Sequence, residues 1–336
     1  MQHNSFFLFT VRKVIHLFFY SVFLALPAFA HISADVENYL QNKPFETVYT
    51  PAKDYAKIVK GKELVALLEP LLKQKINQLK EKGIQPCLHV IVVSPDAASQ
   101  RFLEKKKKAC EEFGIIMDIS ILANNISQED LLLKIATLNA DQKVHGIMLH
   151  LPLPAYLKAD VLLDSIAPQK DVDGLSFINQ GKLVQGKPVM IPATALGCFF
   201  LLRELSPLLN GKQVVMMGRS NLVGKPLAFL LLAHHGTVTI VHSKTKNPEK
   251  ISQDADILIS ATGIPSLVKE NWVKKGALVL DVGISFPDGK TPTGDVDFKS
   301  VLKKVAHITP VPEGIGPLTV FMTMINLVKA ASYCEN

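Results

Sequence analysis

Four lysines stand in a row at positions 105–108. Consecutive helical residues step by about 100°, so four in a row cannot share one face. Phe102, Lys106, Ala109, Cys110 and Phe113 fall at i, i+4, i+7, i+8 and i+11, an apolar stripe that Lys106 alone interrupts. A lysine on an inner face is partly desolvated, which lowers its pKa and suits it to proton transfer. A lysine that snorkels back to water fits the same stripe, and spacing does not choose between the two. Asp171-Val172-Asp173-Gly174 is an acidic turn, readable as a site or as a helix cap. His150, at a strand end before Leu-Pro-Leu-Pro, is either a site group or a core imidazole.

A second kind of chemistry is written at 218–226. The apolar run Val214–Met217 leads into Gly218-Arg219-Ser220-Asn221-Leu222-Val223-Gly224-Lys225-Pro226. A glycine at a strand end allows a tight turn beside a pyrophosphate. The helix that follows offers free N–H groups and its positive dipole end to an anion. Pro226 suits a first helical turn. The glycine spacing is not G-x-G-x-x-G, so a close-packed turn without ligand is the competing reading. The next strand ends in His242-Ser243-Lys244-Thr245, where an NAD site would carry an acidic residue for the ribose hydroxyl. Ser243, Lys244 and Arg219 suit a 2′-phosphate instead, which points to NADP.

The elements that hold these residues alternate. Helices are expected at 58–82, divided or kinked by Pro70, and at 97–113, 128–138, 196–205 and from Pro226. Strands are expected at Cys87–Val93, 115–122, 146–151, Gln213–Met217, Thr237–Val241, 257–261 and 278–282. This is an α/β chain with parallel pairing. Loops at Thr262-Gly263 and Gly283-Ile284 fall on the carboxyl side of strands, where a ligand crevice is expected. Residues 31–56, with Pro44 and Pro51, read as a linker.

At 336 residues, 48% hydrophobic and 20% charged, the chain suits two domains with sizeable cores and excludes disorder as the main state. The net charge of +7 lacks the clustered aromatic and basic motif of a nucleic-acid binder. Cys87, Cys110, Cys198 and Cys334 form no C-x-x-C pair, so no metal site is expected and buried reduced thiols are. Seven of the 17 Phe lie within residues 1–30, which hold Arg12 and Lys13, no acidic residue, and an apolar run ending in Ala-Phe-Ala. This is a signal-like pattern with cleavage after Ala30; an inert extension is the other reading. Export or membrane contact, if any, would run through this segment alone.

Beyond these single features, ASQ-x-F-x-x-x-K-x-KACEE-x-G (98–114), GI-x-x-x-LPLP (146–154), KDVDG (170–174), GRSNLVGKP (218–226), VTIVHSKT (238–245), DVGI (281–284) and TPVPEGIGPLTV (309–320) occur in order. Together they resemble the bifunctional methylenetetrahydrofolate dehydrogenase/methenyltetrahydrofolate cyclohydrolase family. The resemblance implies oxidation of 5,10-methylenetetrahydrofolate with NADP, then hydrolysis of the methenyl product to 10-formyltetrahydrofolate, in the cytoplasm. A diverged paralogue, dehydrogenase only or NADP-binding without turnover, is the alternative.

The implied fold is an N-terminal α/β catalytic domain, residues 57–195 with 315–336 returning, plus a Rossmann-like NADP-binding domain with a parallel sheet, residues 196–314. A homodimer is implied. Lys106, Asp173 and His150 match catalytic positions. Phe102, Asp173, Pro312 and Gly316 lie on the folate side. Gly218, Arg219, Ser220, Ser243 and Ile284 match the NADP loops. Four departures fall on the folate side: Phe102 replaces a Tyr, His150 a Gln, Ala193 a Cys and Glu313 a Gly.

Overall fold

The computed structural model describes residues 49–51, 57–95, 97–206 and 209–335. Residues 1–30, read as signal-like, and most of the segment read as linker lie outside these.

Two parallel sheets organise the described chain. The smaller has the order β4(Ile116–Leu122), β3(Cys87–Val93), β5(Gly146–Leu149). Its central strand places Leu88 opposite both Met117 and Gly146. One face is covered by α3(Gln128–Ala140), whose Leu131, Ile135 and Leu138 pack among Ile91, Val93, Ile147 and Leu149. That helix starts where Ser127 accepts the Asp130 N–H at 3.0 Å.

The rest of this half is helical. Helix α1(Gly61–Glu81) buries Leu64, Leu68, Leu72, Ile76 and Leu79 along one stripe. Pro70 sits inside α1 without dividing it. At its end Gly83 N donates to Lys80 O and Ile84 N to Leu79 O, closing the last turn around a glycine at φ 78°. Helix α2(Ala97–Glu112) follows β3. Short helices α4(Ala159–Asp164) and α5(Phe177–Val184) lead to α6(Ala193–Leu205).

The larger sheet runs β1(Tyr49–Pro51), β2(Lys57–Val59), β10(His307–Ile308), β9(Leu278–Asp281), β8(Ile257–Ser260), β6(Gln213–Met217), β7(Thr237–Val241). Only β1 pairs antiparallel. Helix α7(Gly224–Ala233) joins β6 to β7, α8(Pro248–Ser252) leads from β7 towards β8, and α9(Phe298–Val301) precedes β10. Val215, Met217, Val241, Leu258, Val279 and Ile308 form a core beside this sheet.

Two expectations change. Lys57–Val59 is a strand, so the helix expected from residue 58 starts at Gly61, and the segment read as linker contains β1. Strands of three residues carry too little alternation to be read, and this pair is fixed by its partner β10 across the chain. Cys334, expected buried with the other thiols, is exposed on the turn Tyr333–Glu335, while Cys87, Cys110 and Cys198 are buried.

The last helix, α10(Ile315–Ser332), packs on α6, α1 and α2 and on strands β3 and β5. Its Asn326 amide donates to Val172 O at 2.7 Å and Ile191 O at 2.8 Å. It is the one described helix long and apolar enough to cross a membrane, and it is mostly buried inside the fold.

Candidate active site

Helix α2 delivers Lys106 to the interior, where it is only 3% exposed. Its neighbours Lys105, Lys107 and Lys108 are exposed, so the run of four divides as helix geometry requires. Lys106 Nζ reaches Met148 Sδ on β5 at 3.2 Å. Burial pulls its pKa below the usual lysine range, against the opposing pull of the Asp173 carboxylate. Asp173 is pushed up to about 6 by burial, and the Lys106 charge holds it from rising further.

The two carboxylates of the acidic turn part company here. Asp171 is buried and accepts N–H groups from Leu175 at 3.2 Å and Ser176 at 2.8 Å, and the Asn179 amide at 2.9 Å. Three donors commit it to holding the turn that starts α5. Asp173, two residues on, is left to face Lys106. His150 follows β5, its N–H bound to Ile91 O at 2.9 Å, and its residue is half-buried. Phe102 lies one turn before Lys106 on α2.

The loop before α10 carries Pro312, Glu313 and Gly314. Glu313 takes φ 78° and pairs with Lys60 at 3.1 Å and Lys62 at 2.6 Å at the start of α1. These lysines hold its carboxyl below the usual range. Pro312 and Gly316 are exposed.

At the other sheet, Gly218 N donates to Val241 O at 2.9 Å, and Gly218 sits at φ 110°. A Cβ there would lie 2.3 Å from Ala261 O, and one at Gly224 2.3 Å from Gly218 O. Backbone packs where side chains would stand, so only glycine fits at these two positions of the tight turn that leads into α7. Ser220 Oγ accepts Val223 N–H at 3.1 Å and shapes the turn. Arg219, Ser220, Ser243 and Lys244 are exposed beside it. The Ser243-Lys244 tip is held by Thr245 Oγ1, which accepts His242 N–H at 2.9 Å. Ile284 is 57% exposed on the loop after β9. A close backbone cradle, a helix N-terminus and exposed cations fit a dinucleotide.

Sequence spacing missed Met148, whose contact with Lys106 crosses elements, and Asp281 and Asp295, which meet only in the fold.

Residues 59–173 match the family described as tetrahydrofolate dehydrogenase/cyclohydrolase, catalytic domain. Residues 192–335 match its NAD(P)-binding domain. The bifunctional protein FolD of Oceanobacillus iheyensis is 44% identical over 276 residues, covering 82% of this chain and 97% of that protein. The structure of the FolD methylenetetrahydrofolate dehydrogenase/cyclohydrolase of Campylobacter jejuni is similar, with a TM-score of 0.80 and 44% identity, covering 82% of this chain and 98% of that one. The Trypanosoma brucei enzyme, solved with NADP and an inhibitor, has a TM-score of 0.80 and 33% identity, covering 84% of this chain and 100% of that one.

Proposed function

The chain belongs to the tetrahydrofolate dehydrogenase/cyclohydrolase family, and from that premise we propose how its own residues divide the work. It is a bifunctional enzyme that oxidises 5,10-methylenetetrahydrofolate and hydrolyses the methenyl product to 10-formyltetrahydrofolate. Its second half is an NAD(P)-binding domain.

The bound dinucleotide supplies the hydride acceptor. Hydride leaves a carbon flanked by two nitrogens, which hold the positive charge. The protein's part is therefore to place two rings face to face. We assign residues 57–195 with 315–336 to the folate half and 196–314 to the dinucleotide half, except that β2 at Lys57–Val59 pairs into the dinucleotide half's sheet. Gly218, Arg219, Ser220, Ser243 and Ile284 hold the dinucleotide. Phe102, Asp173, Pro312 and Gly316 hold the folate. Arg219, Ser243 and Lys244, with no carboxylate in 242–247, favour NADP.

Hydrolysis needs a proton carrier. The Lys106 amine, whose pKa burial lowers, accepts a proton at Nζ from the water attacking the methenyl carbon and returns it to the departing ring nitrogen, while the new hydroxyl gives its proton to solvent as the formyl C=O forms. Asp173 binds the pterin ring and holds Lys106 in reach. His150, at the end of β5, orients the amine. The observation that carries this reading is the lysine itself, 3% exposed and electrostatically coupled to Asp173.

Incubating the purified chain with 5,10-methylenetetrahydrofolate and NADP tests it. NADPH and 10-formyltetrahydrofolate should both appear. Accumulating methenyl product would single out a dehydrogenase-only enzyme, and tight NADP binding without turnover a binding protein. We expect a homodimer, checked by a solution mass twice that of the chain. We place the enzyme with the cytoplasmic folate and NADP pools. An intact mass of the native N-terminus decides whether cleavage after Ala30 sends it elsewhere.

A further inference from the structure

Two buried carboxylates outside the Lys106 site hold the ends of two central strands of the larger sheet. Asp295 is fully buried. Its Oδ2 accepts the Ser260 hydroxyl at 3.0 Å and the Thr262 N–H at 2.6 Å, where β8 ends. Its Oδ1 is buried without a hydrogen-bond partner. That oxygen is directed at the backbone after β9, since a Cβ on Gly283 would lie 1.8 Å from it.

Asp281, the last residue of β9 and 2% exposed, accepts the N–H groups of Asp295 at 2.9 Å and Val296 at 3.0 Å. A Cβ on Gly294 would lie 2.0 Å from the Asp281 carboxylate. Each carboxylate therefore rests on the other's neighbouring glycine. Burial pushes Asp281 up to about 7.

These contacts end at two loops on the carboxyl side of the sheet. Thr262-Gly263 and Gly283-Ile284 are the loops at the carboxyl ends of adjacent parallel strands, the place where such sheets bind ligands. Burying a carboxylate costs several kcal/mol unless its contacts repay it. A packing role alone would be served by an apolar side chain.

We propose that Asp295, fixed by Asp281, is a positioning residue of the dehydrogenase reaction: it sets the Thr262 and Gly283-Ile284 loops at the height at which they receive the dinucleotide. The proposal rests on the bifunctional reading above, and that reading supplies its control, because hydrolysis of the methenyl substrate needs no dinucleotide.

The test uses the full chain with Asp295→Ala, Asp295→Asn and Gly283→Ala. NADPH affinity is read by its fluorescence, the NADP KM from NADPH formation, and hydrolysis from 5,10-methenyltetrahydrofolate without dinucleotide. Asp295→Ala and Gly283→Ala should weaken NADPH binding and raise the NADP KM by about tenfold or more, with hydrolysis within about twofold of the parent. Asp295→Asn keeps an oxygen for the Thr262 N–H and should restore affinity to within about threefold. An unchanged NADP KM overturns the proposal. So does a parallel fall of both activities, which would mark ordinary packing, and so does an Asp295→Asn as weak as Asp295→Ala. If the parent chain turned over neither folate, the bifunctional reading would fail, and the NADPH titrations would still decide the role of Asp295.

Discussion

Lys106 and Asp173 each resist what burial imposes on the other: burial favours a neutral amine and a neutral acid, and their mutual attraction favours the ion pair. Removing the amine with Lys106→Met should lower hydrolysis by about 10²- to 10⁴-fold, the usual worth of a positioned acid–base group. Retained hydrolysis would take Lys106 out of the step. Because the working amine must be unprotonated, hydrolysis should rise with pH through the pKa of Lys106. The Asp173 carboxylate favours the charged amine, so Asp173→Asn should move that rising limb to lower pH. A kcat–pH profile of methenyl hydrolysis reads the direction, and a limb moved to higher pH would refute the coupling. The stripe that carries Lys106 was legible in the sequence, because a helical stripe is a local geometric fact, but it left snorkelling open and only the fold shows the lysine buried. The division of labour between Asp171 and Asp173 was not. It depends on donors from residues 175, 176 and 179, which only the folded turn brings together.

Long elements were legible and short ones were not. Seven-residue strands such as Cys87–Val93 and the helices between them announce themselves by period. β1, β2 and β10 have two or three residues each, and their pairing is a long-range event. Helix α10 is apolar on nearly every side, because it is surrounded, and period alone cannot orient such a helix. Its Phe321 is 1% exposed and meets Phe113 edge-on at a centroid distance of 6.0 Å. Phe321→Ala should cost about 3–5 kcal/mol in urea unfolding. At the entrance to α7, Gly224→Ala drives a methyl into Gly218 O, which is backbone and cannot yield cheaply. The NADP KM should rise by about tenfold or more while hydrolysis persists.

Stability should respond to pH through a buried lysine outside the site. Lys329 on α10 is 4% exposed, donates to Val189 O, and is pushed down to about 7 by burial. An unfolded lysine titrates near about 10.4. Between these values the unfolded chain binds the additional proton, so stability falls as pH drops through that window and levels off below it. Melting temperatures measured across it should rise with pH in the parent and rise less in Lys329→Met; equal slopes would exclude Lys329 as the cause. Of the whole molecule, the sequence conveyed two sheets' worth of alternation, but not that β2 belongs to the sheet remote from the helix it precedes.

That placement of β2 reaches beyond folding. The chain leaves the larger sheet at Val59 for α1, and leaves it again after Ile308 for α10, which packs against α1. Each half thus borrows its flanks from segments that the gene encodes on either side of the other. A piece ending near residue 191 would lack α10 and bare the side of β3 and β5 that this helix covers. A single cut between the halves therefore strips each of a flank it packs against.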